Sequence, residues 1–384
     1  MSTSRSSRPK QLSATFDRGP AKYFHGRDDV FGKFDELAED SKKINGGSTF
    51  IIQGPPGVGK TALLYECEKR AEKDGWHIAK IKSGALWNKE KMFRALDFWN
   101  LPQLKELSLE ISLPQLVKGG ISISKPVREE TSHGLVEKRK KPLLLILDEA
   151  QHLASASDHP VERFEDARDL LDTIHNGGMG KPVILLAAGL GGTEAAFDKL
   201  GISRMSKRCF VALKPLEKDS EHAVIRDFLV KDGGVKGDPS EWIEAIASKT
   251  YGWPEHIISY GDAAAKLLRE NNGNMTPEIL NRVFEVGAAS REDYYQRRAR
   301  GLLKKHRVCL AEIIKGVPVG SPVDIDFVEL SLRENFGRDK AEDLVKLIQR
   351  KGILDERDGE HFIPIPSMHT WLVENYTIES VQNV

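Results

Sequence analysis

Eight consecutive residues carry the clearest chemistry in the chain: Gly54, Pro55, Pro56, Gly57, Val58, Gly59, Lys60 and Thr61. They follow an apolar run, Phe50-Ile51-Ile52-Gln53, and lead into a helix-forming stretch that begins at Ala62. Glycines at this spacing let backbone N–H groups curl around phosphate oxygens, beside the positive end of a helix. Lys60 then reaches the β- and γ-phosphates, and the Thr61 hydroxyl is offered to Mg²⁺. Ala62 completes the set in the first helical turn. The expected ligands are ATP and Mg²⁺.

A second constellation follows another apolar run. Leu143–Leu147 leads straight into Asp148-Glu149-Ala150-Gln151. Asp148 at a strand tip suits the metal, usually through a water. Glu149 beside it suits the general base that orients and activates an attacking water. A site that only binds nucleotide can dispense with such a base, so Glu149 points to hydrolysis.

These residues need a scaffold. Short apolar runs at Ser48–Gln53, His77–Lys82, Leu143–Leu147, Val183–Ala188 and Arg208–Leu213 alternate with longer amphipathic stretches. That pattern predicts a parallel sheet with crossover helices, an α/β core. Lys89–Val117 reads as helical, and 118–142 as a protruding insertion that carries the basic knot Lys138–Lys141. After Pro215 the pattern turns helical, at Ser220–Lys231, Ser240–Ser248, Pro254–Glu270 and Thr276–Gly287. The charged stretch 290–300 reads as a linker or linker helix. Helices over Leu302–Lys315, Asp324–Asn335 and Lys340–Lys351 are followed by two short strands, Ile353–Arg357 and His361–Ile365, around Asp358-Gly359. Three helices closed by a two-stranded ribbon is the plan of a winged helix. The expected divisions are a disordered basic tail (1–22), a nucleotide-binding core (23–215), a helical lid (216–290), a linker (291–300) and a winged-helix domain (301–384).

The phosphate loop and the acidic motif together resemble those of AAA+ ATPases. The resemblance is to the branch that joins origin-recognition ATPases, STAND signalling ATPases and transposition regulators. It covers about residues 23–290. Tyr23-Phe24-His25-Gly26-Arg27 is similar to the family's F-x-G-R segment, which implies that Phe24, Gly26 and Arg27 lie against adenine. Arg204 and Arg208 sit where the family places an arginine finger acting on a neighbour's γ-phosphate, which implies a homo-oligomer. Gly252-Trp253-Pro254 resembles the lid's G-x-P motif and puts Pro254 at the nucleotide. Two departures stand out. Glu255-His256 replaces the arginine that origin-type members carry next. No polar sensor follows Val183–Ala188 directly, and Thr193 is the nearest candidate. The resemblance implies a three-layer AAA+ fold with a lid and a winged helix.

Composition bounds the partners. The chain has 384 residues, with 57 Lys+Arg balancing 57 Asp+Glu. Neutrality rules out a uniformly basic nucleic-acid coat but leaves local basic surfaces. Positive charge gathers in the tail, at Lys138–Lys141 and at 297–307, whereas the wing turn 355–360 is acidic. No apolar run approaches the roughly 20 residues of a membrane helix, so no membrane contact is expected. The three cysteines, Cys67, Cys209 and Cys309, fit buried thiols in the cytoplasm. His152, His159 and His175 lack the spacing of metal ligands. DNA is one expected partner, bound under ATP control as in initiators, transposition regulators or mobile-element defence. The alternative is a STAND-like switch that acts through a protein partner.

Overall fold

The five apolar runs form strands β1 (Gly47–Gln53), β2 (His77–Lys82), β3 (Leu143–Asp148), β4 (Val183–Gly189) and β5 (Phe210–Ala212). The computed structural model describes residues 20–82, 141–153, 168–169, 171–176, 180–200, 202, 209–357 and 359–378. The basic tail to residue 19, the helix expected at 89–117, the insertion expected at 118–142 as far as residue 140, and His159 lie outside the described residues.

The sheet is parallel throughout, in the order β2-β3-β4-β1-β5. Its strands are nearly continuous apolar runs because both faces are covered. Alternate residues go to opposite sides. Phe50, Ile52, Leu144, Ile146, Ile184 and Leu186 join helices α1 (Asp28–Ile44) and α2 (Lys60–Lys73) in one core. Ile51, Leu143, Leu145, Leu147, Val183 and Leu185 join Leu171, Ile174 and Phe197 of α3 (Thr193–Lys199) in the other. Burying each such Leu, Ile or Phe contributes about 1.5–3 kcal/mol. The result is the three-layer α/β core expected from the sequence. Because β4 lies between β1 and β3, the phosphate loop after β1 and the acidic pair after β3 flank the end of β4. Open parallel sheets bind ligands at such a crevice.

The lid begins with α4 (Lys218–Asp227), which continues into a π-helical turn, Phe228–Asp232. Helices α5 (Ser240–Thr250), α6 (Pro254–Glu270) and α7 (Pro277–Arg298) complete it around Ile225, Phe228, Ile246, Tyr260, Leu268 and Val283. Prolines open α6 and α7, where a missing N–H costs nothing. Helix α7 continues to Arg298, through most of the stretch expected as a linker or linker helix. The reason is a buried aromatic pair, Tyr294 and Tyr295, hidden in a run of charges.

The C-terminal module follows as α8 (Lys304–Ile314), α9 (Ile325–Phe336), α10 (Arg338–Arg350), a ribbon of β6 (Asp355–Arg357) and β7 (Glu360–Phe362), and α11 (Pro366–Tyr376). Three helices and an antiparallel ribbon stand in the order of a winged helix. Asp324 caps α9 by accepting from the N–H groups of Asp326 and Phe327. Helix α10 buries Ala341, Leu344, Val345 and Ile348, one face of a helix. The core of this module is continuous with the α1/α2 face of the sheet. Among the described residues no helix is long and apolar enough to cross a membrane.

His256 sits where the lid, α7 and the C-terminal module converge. It lies 5.8 Å from the rings of both Tyr294 and Tyr295, and Tyr295 lies 5.3 Å from Trp371 of α11. Burial pushes the imidazole down to about 3, helped by the nearby Arg291 charge, while a backbone contact with Thr250 opposes the shift. The folded chain therefore keeps His256 neutral where the unfolded chain protonates it, from an ordinary value of 6.5 down to about 3. Its contribution to stability is present above that window and is lost as the pH falls through it. Between pH 7 and pH 5 the expected loss is about 2 kcal/mol from this residue. Urea unfolding at the two pH values checks this: His256→Phe should lose less stability than the wild type. Equal losses would show that His256 is not a source of the pH dependence.

Candidate functional site

The phosphate loop owes its shape to Gly57 and Gly59, both in the left-handed region at φ 82° and 98°. A Cβ at Gly57 would stand 3.0 Å from the Trp253 indole nitrogen, the Glu255 Cβ and the Tyr294 hydroxyl. The loop is thus clasped from outside by the lid and by α7. The Tyr294 hydroxyl donates to the Pro56 carbonyl at 2.8 Å, and the Glu255 N–H donates to Gly57 O at 3.2 Å. Pro254 is the nearest contact for a side chain added at Gly59, at 3.7 Å. Gly54 and Val58 are buried, Pro55 and Pro56 with them, and Ala62 lies in the first turn of α2. No side chain caps that helix, so its first N–H groups stay available to an anion.

Lys60 donates to the carbonyls of Gly54 and Pro55 at 2.7 and 3.0 Å. Burial lowers its amine to about 8, although Glu149, Asp148 and Asp355 pull the other way. Arg298 adds to the lowering. Across the crevice, the Thr61 hydroxyl is 3.4 Å from Asp148 Oδ2. Burial, with the Glu149 charge, raises the Asp148 carboxyl, against hydrogen bonds from Thr61 and the Glu149 N–H. A hydroxyl and a carboxylate oxygen facing each other are the donor set that suits a hard divalent cation. The buried Trp253 N–H beside the loop has no protein partner among the described residues. Glycine cradle, helix terminus, lysine and oxygen pair therefore fit a nucleotide phosphate with Mg²⁺.

Glu149 is exposed, and its backbone is left-handed at φ 57°, a conformation uncommon outside glycine. The Gln151 amide donates to the Glu149 carboxylate, and its carbonyl accepts from the Leu190 N–H at 3.0 Å. Gln151 thereby ties Glu149 to the loop after β4. Thr193 is fully buried at the start of α3, and its hydroxyl donates to Leu190 O at 2.6 Å. In this arrangement that hydroxyl shapes the same loop.

Phe24, Gly26 and Arg27 lie between core and lid. Arg27 donates to Val58 O in the phosphate loop and to Lys214 O after β5, at 3.3 and 2.7 Å. Phe24 lies 5.8 Å from Phe31 of α1, while Tyr23 and His25 bond to Asp232 and Asp227 of the lid. Gly26 and Arg27 are both left-handed, which turns the chain into α1. Arg204 and Arg208 lie outside the described residues.

Several contributors are invisible to motif reading. Glu221, buried on α4, accepts from the Gly252 N–H at 2.7 Å and from the Thr250 hydroxyl, fixing the turn that aims Trp253-Pro254 at the loop. Arg298, at the end of α7, stands over the Tyr294 ring at 5.3 Å and brings a cation towards Lys60 from the C-terminal side. Arg298 lies in the basic stretch 297–307, where nothing in the sequence singled it out from its neighbours. Arg307, part of the basic stretch 297–307, is occupied in structure. It bonds Leu302 O, Ala299 O, Gln296 and Tyr376.

The AAA domain family model matches residues 44–189. No curated protein matches the chain. Among solved structures, the ORC2 protein of Aeropyrum pernix in its ADPNP–ADP complexes is 14% identical with a TM-score of 0.52, over 96% of this chain and 98% of that one. The ADP form of the same protein is 15% identical with a TM-score of 0.51, over 89% and 93%. The Walker-type ATPase PABY2304 of Pyrococcus abyssi is 19% identical with a TM-score of 0.48, over 90% and 97%. The likeness to the ORC2 structures gives the fold, a P-loop fold of the AAA+ kind.

Proposed function

We propose that the chain is an ATP-binding and ATP-hydrolysing AAA+ protein whose nucleotide state controls assembly and DNA binding. The observation that carries the enzymatic part is the gathering of Lys60, Thr61, Asp148 and Glu149 around the end of β4. Lys60 and the N-terminus of α2 bind the phosphates. Thr61 and Asp148 would hold Mg²⁺, which supplies charge neutralisation on the phosphate oxygens. Glu149, held by Gln151, takes the proton of the attacking water. An arginine from a neighbouring copy, Arg204 or Arg208, completes the charge stabilisation in a homo-oligomer.

DNA is the proposed target because exposed basic residues remain on the C-terminal half. Arg338, Lys340, Lys346 and Arg350 line the outer side of α10, and Arg297, Arg300, Lys304 and Lys305 cluster at the α7–α8 junction. Glu342 and Asp343 dilute the α10 face, so binding should be modest and strongly dependent on salt. The second reading, a switch acting through a protein partner, is favoured by one observation: the C-terminal module lies on the phosphate loop itself. Gly352 sits against Pro56, and Gln53 donates to Glu356 O at 3.1 Å. Anisotropy of labelled duplex DNA at low ionic strength separates the readings. ATP-stimulated binding that weakens steeply with salt is expected. Its absence would leave the protein-contact switch in its place.

A further inference from the structure

Three successive carbonyls of the phosphate loop are held from outside by three different parts of the chain. The Tyr294 hydroxyl of α7 donates to Pro56 O, the Glu255 N–H of α6 to Gly57 O, and Arg27 to Val58 O at 3.3 Å. In a planar trans peptide the N–H points away from the C=O of the same unit. Drawing the Val58 carbonyl outwards therefore turns the Gly59 N–H into the loop, where converging N–H groups receive phosphate oxygens. Of the three donors only Arg27 carries a charge, and charge-assisted bonds are the stronger kind. The same nitrogen, Nη2, also donates to Lys214 O at 2.7 Å, just beyond β5.

The segment before Arg27 is fastened to the lid. Lys22 pairs with Asp232, the Tyr23 hydroxyl donates to Asp232 Oδ1 at 2.8 Å, and His25 Nε2 lies 2.8 Å from Asp227 Oδ2. The Tyr23 ring packs edge-on to Phe228 at 5.1 Å, and the Lys231 ammonium lies 5.3 Å from its centre. Phe228, Lys231 and Asp232 belong to the π-helical turn after α4, a rare geometry that recurs at functional sites. A methyl group added at Gly26 would collide with the Ser220 hydroxyl of α4. Residues 22–26 thus form a strap on the lid, whereas α1, from Asp28, packs into the core. Gly26 and Arg27, both left-handed, make the turn between the two.

We propose that Arg27 is a positioning residue for phosphate binding. It braces the Val58 carbonyl, and the strap 22–26 makes that brace depend on the seating of the lid. The guanidinium acts on the loop backbone and not on the base. The inference rests on the nucleotide reading above and deepens it.

Competition against mant-ADP, with Mg²⁺ and the full-length chain, measures affinity for ADP, ATPγS and inorganic tripolyphosphate, which has no base. Arg27→Ala should weaken all three by a common factor of about tenfold to a hundredfold, with the number of sites unchanged. Arg27→Lys, which keeps a cationic donor, should recover part of that loss. A loss for the two nucleotides that spares tripolyphosphate would put Arg27 on the base and overturn the proposal. Unchanged affinity, or fewer sites at unchanged affinity, would overturn it too. The lid's share is read from Tyr23→Phe combined with Asp232→Asn. This pair leaves the loop and Arg27 intact, so it tests the brace even if Arg27→Ala fails to fold. It should cost about threefold to tenfold alone and add nothing to the loss in Arg27→Ala. Wild-type affinity in the strap variant, or losses that add in full, would contradict the coupling to the lid. Lys60→Ala separates the inference from the reading beneath it. If Lys60→Ala binds as the wild type does, both fall. If it loses binding while Arg27→Ala does not, only the inference falls.

Discussion

Replacing Lys60 with alanine should abolish nucleotide binding at concentrations that saturate the wild type. The amine is the cation set inside the loop, enclosed by Gly54, Pro55 and the charges of Asp148 and Glu149. Removing one partner of a buried, hydrogen-bonded charge pair costs about 2–5 kcal/mol, or roughly 30- to 4,000-fold in affinity. The fold should survive, because the layers are held by the two apolar faces of the sheet, and Lys60 contributes only two bonds to loop carbonyls. Mant-nucleotide titration with a circular-dichroism melt checks both parts. Binding within a few-fold of the wild type would contradict the role of the loop.

The second large effect belongs to Glu149. Glu149→Gln should bind ATP as the wild type does and lose hydrolysis by about 10²–10⁴-fold, the usual contribution of a positioned general base. Glutamine keeps the shape, and its carbonyl can still accept the bond from Gln151 that ties this position to the loop after β4. What disappears is the capacity to take a proton. Phosphate release under single-turnover conditions reads the loss directly, and unchanged affinity shows that the site is otherwise whole. Full turnover by Glu149→Gln would remove Glu149 from the base role.

The chemistry of the core was legible in sequence because local pattern and chemical role coincide there. The loop needs glycines at fixed positions, and β3 must deliver its acidic pair at the end of an apolar run. The central strands β3 and β4 were visible as such runs because both their faces are covered, whereas edge strand β2 keeps Lys80 and Lys82 among its apolar residues. Where roles are tertiary, sequence was silent. Helix α1 opens without a side-chain cap behind two left-handed residues, so nothing local announces it. The 290–300 stretch reads as a charged linker or linker helix, and its two tyrosines are buried in a packed helix. Asp355 reads as part of an acidic wing turn but is buried against Gly191 in the loop after β4. Arg307 reads as part of the basic stretch 297–307 and is spent on four partners, in α7, at the α7–α8 junction and in α11. The ribbon thus lies with Asp355 against the loop after β4, and the basic residues left exposed lie elsewhere, on α10 and the α7–α8 junction.

Gly54–Thr61 is proposed to bind ATP, and Glu149 to drive its hydrolysis. The most direct measurement follows bound nucleotide and released phosphate together, in wild-type protein mixed with a limiting amount of radiolabelled ATP and Mg²⁺. The expected result is that the limiting nucleotide is bound by the chain, with its γ-phosphate released in a single exponential. A chain that binds no nucleotide at millimolar ATP, or binds it and never releases phosphate under any oligomeric condition, would contradict that claim.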